Sequence, residues 1–328
     1  MKKVISPLLA ALMLVGMLAG CTNQAEMPTV QAESAAEEKI KIVTTIFPEY
    51  DWVREILGDR ADSAEITMLL DNGVDLHSYQ PTADDIIKLS DCDLFVYVGG
   101  ESDGWVEGAL KSAANKDRKV INLLDVLGDS VKEEETVEGM QEEEEDHEEK
   151  EYDEHVWLSL KNAKTLVGAI SAALQEIDPD NKDAYAANAE AYGQKLSALD
   201  AEYQKAVSAG TYRTLLFGDR FPFRYLVDDY GLSYYAAFAG CSAESEASFE
   251  TVSFLARKVD EGKLPCVLTI EGKNHKIAET VVQNTAGKNQ KILTMDSMQS
   301  TTSQDVAGGT TYLSLMEKNL DVLKEALG

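Results

Sequence analysis

Cysteine is scarce in this 328-residue chain: Cys21, Cys92, Cys241 and Cys266 are all there are, and no two are spaced as C-x-x-C. That excludes a zinc ribbon built from cysteine pairs and thioredoxin-type exchange. Cations are short too. Thirty Lys and Arg against 58 Asp and Glu leave a net charge of −28, which provides no basic surface for nucleic acid. Glycine patterns that carry chemistry are missing: Gly99-Gly100 and Gly308-Gly309 lack the spacing of a nucleotide fingerprint, and there is no G-x-S-x-G elbow. With no activated nucleophile and no paired acid and base, a binding protein rather than an enzyme is expected; a hydrolytic metal site is the enzymatic alternative.

Long apolar runs are also lacking, with one exception. Behind Lys2 and Lys3, an apolar stretch from Val4 ends on Leu18-Ala19-Gly20-Cys21. It is shorter than the roughly 20 residues a bilayer core needs, so it reads as a signal peptide over 1–20. Small residues before a cysteine resemble a lipobox, which implies cleavage before Cys21 and acylation of its thiol. The protein would then sit on the extracytoplasmic face of the cell membrane, held by its lipid anchor alone. Residues 21–38, the lipidated Cys and a polar stretch, read as a flexible tether. Of the remaining cysteines, Cys92 reads as a core thiol, and Cys241 with Cys266 as the candidate disulfide.

From Lys39 onward 290 residues remain, more than one core usually accommodates, so two lobes are expected. Strand-like runs at 40–45, 64–70, 93–98 and 119–124 alternate with amphipathic stretches at 50–57, 83–89 and 104–113. The scheme repeats with strands at 213–217, 233–238, 266–270 and 291–295 and helices at 221–230, 248–259, 276–285 and 312–327. Such alternation means parallel βαβ units and an α/β fold. Between the halves, Tyr185, Ala189, Tyr192, Leu196, Leu199 and Tyr203 recur at spacings of four and three, one face of a long helix entered through Asp178-Pro179-Asp180. The expected organisation is an N-terminal lobe over 39–178, a linking helix over 179–209 and a C-terminal lobe over 210–328. Inside the first lobe, residues 133–154 hold fourteen Asp or Glu against one lysine. This acidic loop, 129–154, is expected to lack fixed structure and to attract cations weakly.

Ligands of open parallel sheets gather beyond the carboxyl ends of the strands. There stand His77, in Asp75-Leu76-His77-Ser78-Tyr79-Gln80-Pro81-Thr82; Asp219 and Arg220; Glu271; and Asp296. His155 lies where the acidic loop ends, in Asp153-Glu154-His155-Val156-Trp157-Leu158-Ser159. Two imidazoles and a carboxylate can hold a transition-metal dication such as zinc or manganese. His147, amid the acids, reads as a transient cation contact, and His275 as a capping or surface residue.

These two histidine runs resemble the metal-binding lipoproteins and periplasmic proteins of zinc and manganese ABC importers, the adhesin-like solute-binding group. The resemblance covers residues 39–328. It implies two βα lobes with parallel sheets joined by one long rigid helix, and a metal cleft between the lobes. It also implies a monomer that delivers its cargo to an ABC permease and its ATPase. Position by position it assigns His77, His155 and Asp296 as ligands. It breaks at Arg220, where the group carries His or Glu and where a guanidinium cannot ligate. Three arrangements remain open: Asp219 supplies the missing oxygen; Arg220 pairs with Asp296 or Glu271 and leaves a reduced site; or the site has changed ligand. The acidic loop favours Zn²⁺ over Mn²⁺. An anionic or chelated solute bound through Arg220 and Arg224 is the second alternative, and affinity for metal should fall below about pH 6.5, as histidine protonates. Adhesion, a further role of such proteins, has no specific support in the sequence.

Overall fold

The structure is a computed structural model that describes residues 39–141, 151–242, 246–272 and 274–328. The signal peptide, Cys21, the tether and His147 lie outside the described residues.

The first lobe runs β1 (Lys41–Thr44), α1 (Phe47–Leu57), β2 (Glu65–Met68), α2 (Ala83–Asp91), β3 (Leu94–Tyr97), α3 (Val106–Ser112), β4 (Lys119–Asn122) and the short α4 (Leu123–Leu127). Two helices follow, α5 (Leu160–Ile177) and α6 (Lys182–Ala209). The second lobe comprises β5 (Thr214–Arg220), α7 (Arg224–Tyr230), β6 (Ser233–Phe238), α8 (Phe249–Gly262), β7 (Cys266–Ile270), α9 (Lys276–Asn284), β8 (Lys291–Met295), α10 (Ser303–Ala307) and α11 (Tyr312–Leu327). Both four-stranded sheets are parallel, in the orders β2-β1-β3-β4 and β6-β5-β7-β8. In each the chain switches sides after its second strand, so a crevice opens beyond the carboxyl ends of β1 and β3, and again beyond β5 and β7.

The strands are apolar because helices cover both faces of a parallel sheet; Leu94, Phe95 and Val96 of β3 are fully buried. The linking helix α6 has 28 residues, about 42 Å at the usual rise. Tyr185, Tyr192, Leu196 and Tyr203 form its buried stripe, as their spacing predicts. Its first turn differs from expectation. Pro179–Asn181 form a separate 3₁₀ turn, and Asp178 accepts hydrogen bonds from Tyr185 Oη at 2.6 Å and Asn181 Nδ2 at 2.8 Å instead of capping α6. One apolar cluster contains side chains from both sheets and from α6.

The acidic loop is a correction. Its ends are structured: Glu133 bridges Tyr152 in antiparallel fashion, Glu134 N donates to Glu151 O, and Gln141 N donates to Ala237 O. Apolar residues within the run explain why charge repulsion does not prevail, since Met140 is buried and Val131 and Val137 pack on the core. Lys132 pairs with Asp228 and Arg224 with Glu135. Residues 142–150 lie outside the described residues.

Candidate metal centre

His77 sits on a 3₁₀ turn, Leu76–Ser78, that follows β2 and is capped by Asp75, whose Oδ1 accepts from His77 N at 3.0 Å. His77 Nδ1 faces Ser102 Oγ at 2.9 Å and Glu154 Oε2 at 3.4 Å. Glu154 reaches that point because Gly100, at φ +80°, has no Cβ; an added one would lie 2.3 Å from Glu154 Oε1. Burial would raise the Glu154 carboxyl, but the hydrogen bond and charge of His77, with Ser102, hold it below the ordinary glutamate range.

His155 is fully buried. Asp153 Oδ1 accepts from its backbone N at 2.9 Å and faces its Nδ1 at 3.0 Å. A carboxylate on Nδ1 assigns the proton there and leaves Nε2 as a lone-pair donor. At His77, Nδ1 meets the Ser102 hydroxyl at 2.9 Å, and the Glu154 carboxylate 3.4 Å away favours a proton on that nitrogen. The two Nε2 atoms then face one another at 3.1 Å, close to the edge of about 3.3 Å that two tetrahedral Zn–N bonds of 2.0–2.1 Å subtend. Two lone pairs at that separation repel unless a proton or a metal lies between them. Gln299 reaches the same point from the loop after β8, its side-chain amide 3.3 Å from His155 Nε2.

Among the described residues, the third side chain that closes a group with the histidines is Cys241: His77, His155 and Cys241 offer ligand atoms all within 4.8 Å of one another. Burial and the carboxylates of Asp153, Glu134 and Glu154 push its thiol well above the usual range, so it is no reactive thiolate by itself. The expected disulfide is a correction: Cys92, Cys241 and Cys266 are all free. Cys266 opens β7 while Cys241 lies beyond the carboxyl end of β6, with β5 between these parallel strands. A strand length and two strand spacings exceed the roughly 7 Å Cα limit of a disulfide.

The acids expected at the site are used elsewhere. Asp219 Oδ1 accepts from Arg220 N at 2.9 Å and Oδ2 from Ile270 N at 3.3 Å, at an irregularity in β5. Asp296 Oδ1 accepts from Met298 N at 2.8 Å; burial and the neighbouring Glu271 raise its carboxyl to about 6. Glu271 accepts from Ser297 N, Ser297 Oγ and Gln299 N and so shapes the loop after β8. Neither Asp219 nor Asp296 belongs to the histidine group. Arg220 pairs with Asp75, not with Asp296 or Glu271, which links the second lobe to the turn that carries His77. His275 precedes α9 but makes no side-chain cap.

Sequence reasoning missed Cys241, Gln299 and Asp153. The Asp-x-His spacing could have found Asp153; nothing local marks the other two, which arrive from distant loops.

Comparison with known proteins finds relatives along most of the chain. A family model described as ZnuA, zinc-uptake complex component A periplasmic, matches residues 42–326. The zinc-binding lipoprotein AdcA of Streptococcus pneumoniae serotype 4 is 32% identical over 331 residues, covering 99% of this chain and 61% of the relative. The chain thus spans about three fifths of that relative's length. The high-affinity zinc uptake system protein ZnuA of Bacillus subtilis is 29% identical over 320 residues, 95% of this chain and 94% of the relative. The crystal structure of the Zn(II)-bound ZnuA-like domain of Streptococcus pneumoniae AdcA superposes with a TM-score of 0.69 at 30% identity, covering 88% of this chain and 99% of that one. The periplasmic zinc-binding protein TroA of Treponema pallidum, at 24% identity and a TM-score of 0.69 over 89% of this chain and all of its own, shares the fold. On the family match over nearly all of the residues from Lys39 onward, the chain belongs to the family of zinc-uptake complex component A periplasmic proteins.

Proposed function

We propose that this protein is the extracytoplasmic solute-binding subunit of an ABC importer, which captures zinc at His77 and His155 and delivers it to the permease. The observation that carries this reading is the pair of Nε2 atoms 3.1 Å apart, with Asp153 behind the His155 ring and Ser102 and Glu154 behind that of His77. Such an arrangement is a preorganised dication site. The names of relatives that bind or take up zinc support the same cargo.

Imidazole donors suit zinc better than manganese, which prefers carboxylate and water. The anionic-solute alternative is weakened, because Arg220 is held by Asp75 and Arg224 by Glu135. Capture and release, rather than turnover, is the proposed activity. Anchoring through Cys21, a monomeric state and an ATPase behind the permease complete the proposal. Asp296 and Asp219 stay in it as groups that could approach the metal only by leaving their present backbone partners.

Accumulation of radioactive zinc by the source bacterium at low external zinc tests transport. Deletion of the gene should slow accumulation, and the wild-type gene but not His155→Ala should restore it. Full restoration by His155→Ala would sink the reading.

A further inference from the structure

We propose that the Cys241 thiolate is the third protein ligand of the captured metal, the donor that stands in for the histidine or glutamate replaced by Arg220. This inference rests on the zinc-capture reading and names the ligand set behind it.

Arg220 carries no lone pair for a metal, and its guanidinium points to Asp75. A site of two histidines therefore lacks a strong donor from the second lobe. Cys241 meets that need from the loop after β6, with its sulfur within 4.8 Å of a ring nitrogen of each histidine. Zn–N bonds of about 2.0–2.1 Å and a Zn–S bond of about 2.3 Å give tetrahedral edges of roughly 3.3–3.6 Å. Those edges are shorter than the 4.8 Å bound, so metal binding would draw the sulfur inward.

The backbone is built for this approach. A Cβ on Gly240 would meet Phe221 O at 2.8 Å and the Cε1 and Nδ1 atoms of the His155 ring at 3.2 Å. Glycine thus lets the chain run against the imidazole and present the next residue to it. Glu134 Oε1 accepts from Cys241 N at 2.8 Å and pins that presentation. The pinning acid comes from the structured part of the acidic loop, which gives that loop a definite role at the site.

A cleft of about 260 Å³ leads to this point, lined by His77 and Cys241 and by Glu101, Glu134, Glu151 and Glu154. Glutamates around a cleft attract a dication without discriminating among metals. Discrimination comes from the sulfur: a thiolate prefers zinc to manganese. On binding, the Sγ–metal bond forms as the thiol proton passes to solvent, with no change of oxidation state.

Cobalt(II) tests the assignment on the full-length protein. One equivalent should produce a sulfur-to-cobalt charge-transfer band in the near ultraviolet. Cys241→Ser should abolish that band and weaken zinc binding by at least about 100-fold, at or beyond the upper end of the 10–100-fold that loss of an outer-shell partner produces. A second readout needs no variant: stoichiometric zinc should block alkylation of Cys241 in the wild-type protein, and chelation should restore it. Cobalt bound without the band, or alkylation indifferent to zinc, overturns Cys241 as a ligand and leaves zinc capture standing. No cobalt or zinc bound at all overturns both.

Discussion

His155 owes its orientation to one carboxylate. Asp153 holds both its backbone N and its Nδ1, so Asp153→Asn should leave the fold intact and weaken zinc binding about 10–100-fold, measured by competition with a chromophoric chelator. Unchanged affinity would show that the ring is fixed by packing against Trp157 alone, the two rings being 5.2 Å apart. At this level the sequence was partly legible. The runs around His77 and His155 carry their own context, since each histidine lies near its capping or orienting acid in the chain. Cys241 and Gln299 do not, because each becomes interesting only when a distant loop meets a histidine. The partner of Arg220 was equally hidden: Asp75 lies 145 positions away, whereas Glu271 and Asp296 follow strands of the same sheet as Arg220.

Helices and strands were easier to foresee, because apolar periodicity is local. The eight strands fall where β-branched runs predict them, and α6 follows its aromatic stripe. Strand order is not local, and neither are the contacts that structured 129–141. Helices also carry buried charges that the pattern does not explain. Asp51 of α1 is 4% exposed and accepts from Tyr312 N, at the start of α11, at 3.0 Å. Burial, against the opposing Tyr312 hydrogen bond, raises its carboxyl from 3.8 to about 7. The folded pKa lies above the unfolded one, so the stability that this proton contributes is fully present below 3.8 and is lost as pH rises through about 7. The displacement corresponds to about 4 kcal/mol. Asp51→Asn should therefore gain on the wild type in melting temperature as pH rises from about 5 to about 8, followed by calorimetry. A wild-type advantage that grows with pH would contradict the assignment.

The two lobes meet through a few specific bonds as well as a common core. Trp157 Nε1, beside His155, donates to Ser297 O at 2.9 Å; Tyr312 Oη donates to Trp157 O at 2.6 Å; and Arg220 pairs with Asp75. Arg220→Gln would leave the partly buried Asp75 without its cation and should lower stability by about 1–2 kcal/mol, several degrees of melting temperature for a protein of this size. A raised melting temperature would show that the pair is a constraint on the cleft rather than a support.

The central claim is that His77 and His155 hold the metal together. Metal content by mass spectrometry, after loading with a zinc and manganese mixture and desalting, tests it on the wild type and on the His77→Ala, His155→Ala double variant. One equivalent of zinc in the wild type and none in a folded double variant is the predicted result. Zinc retained by the double variant, or none bound by the wild type, would contradict it.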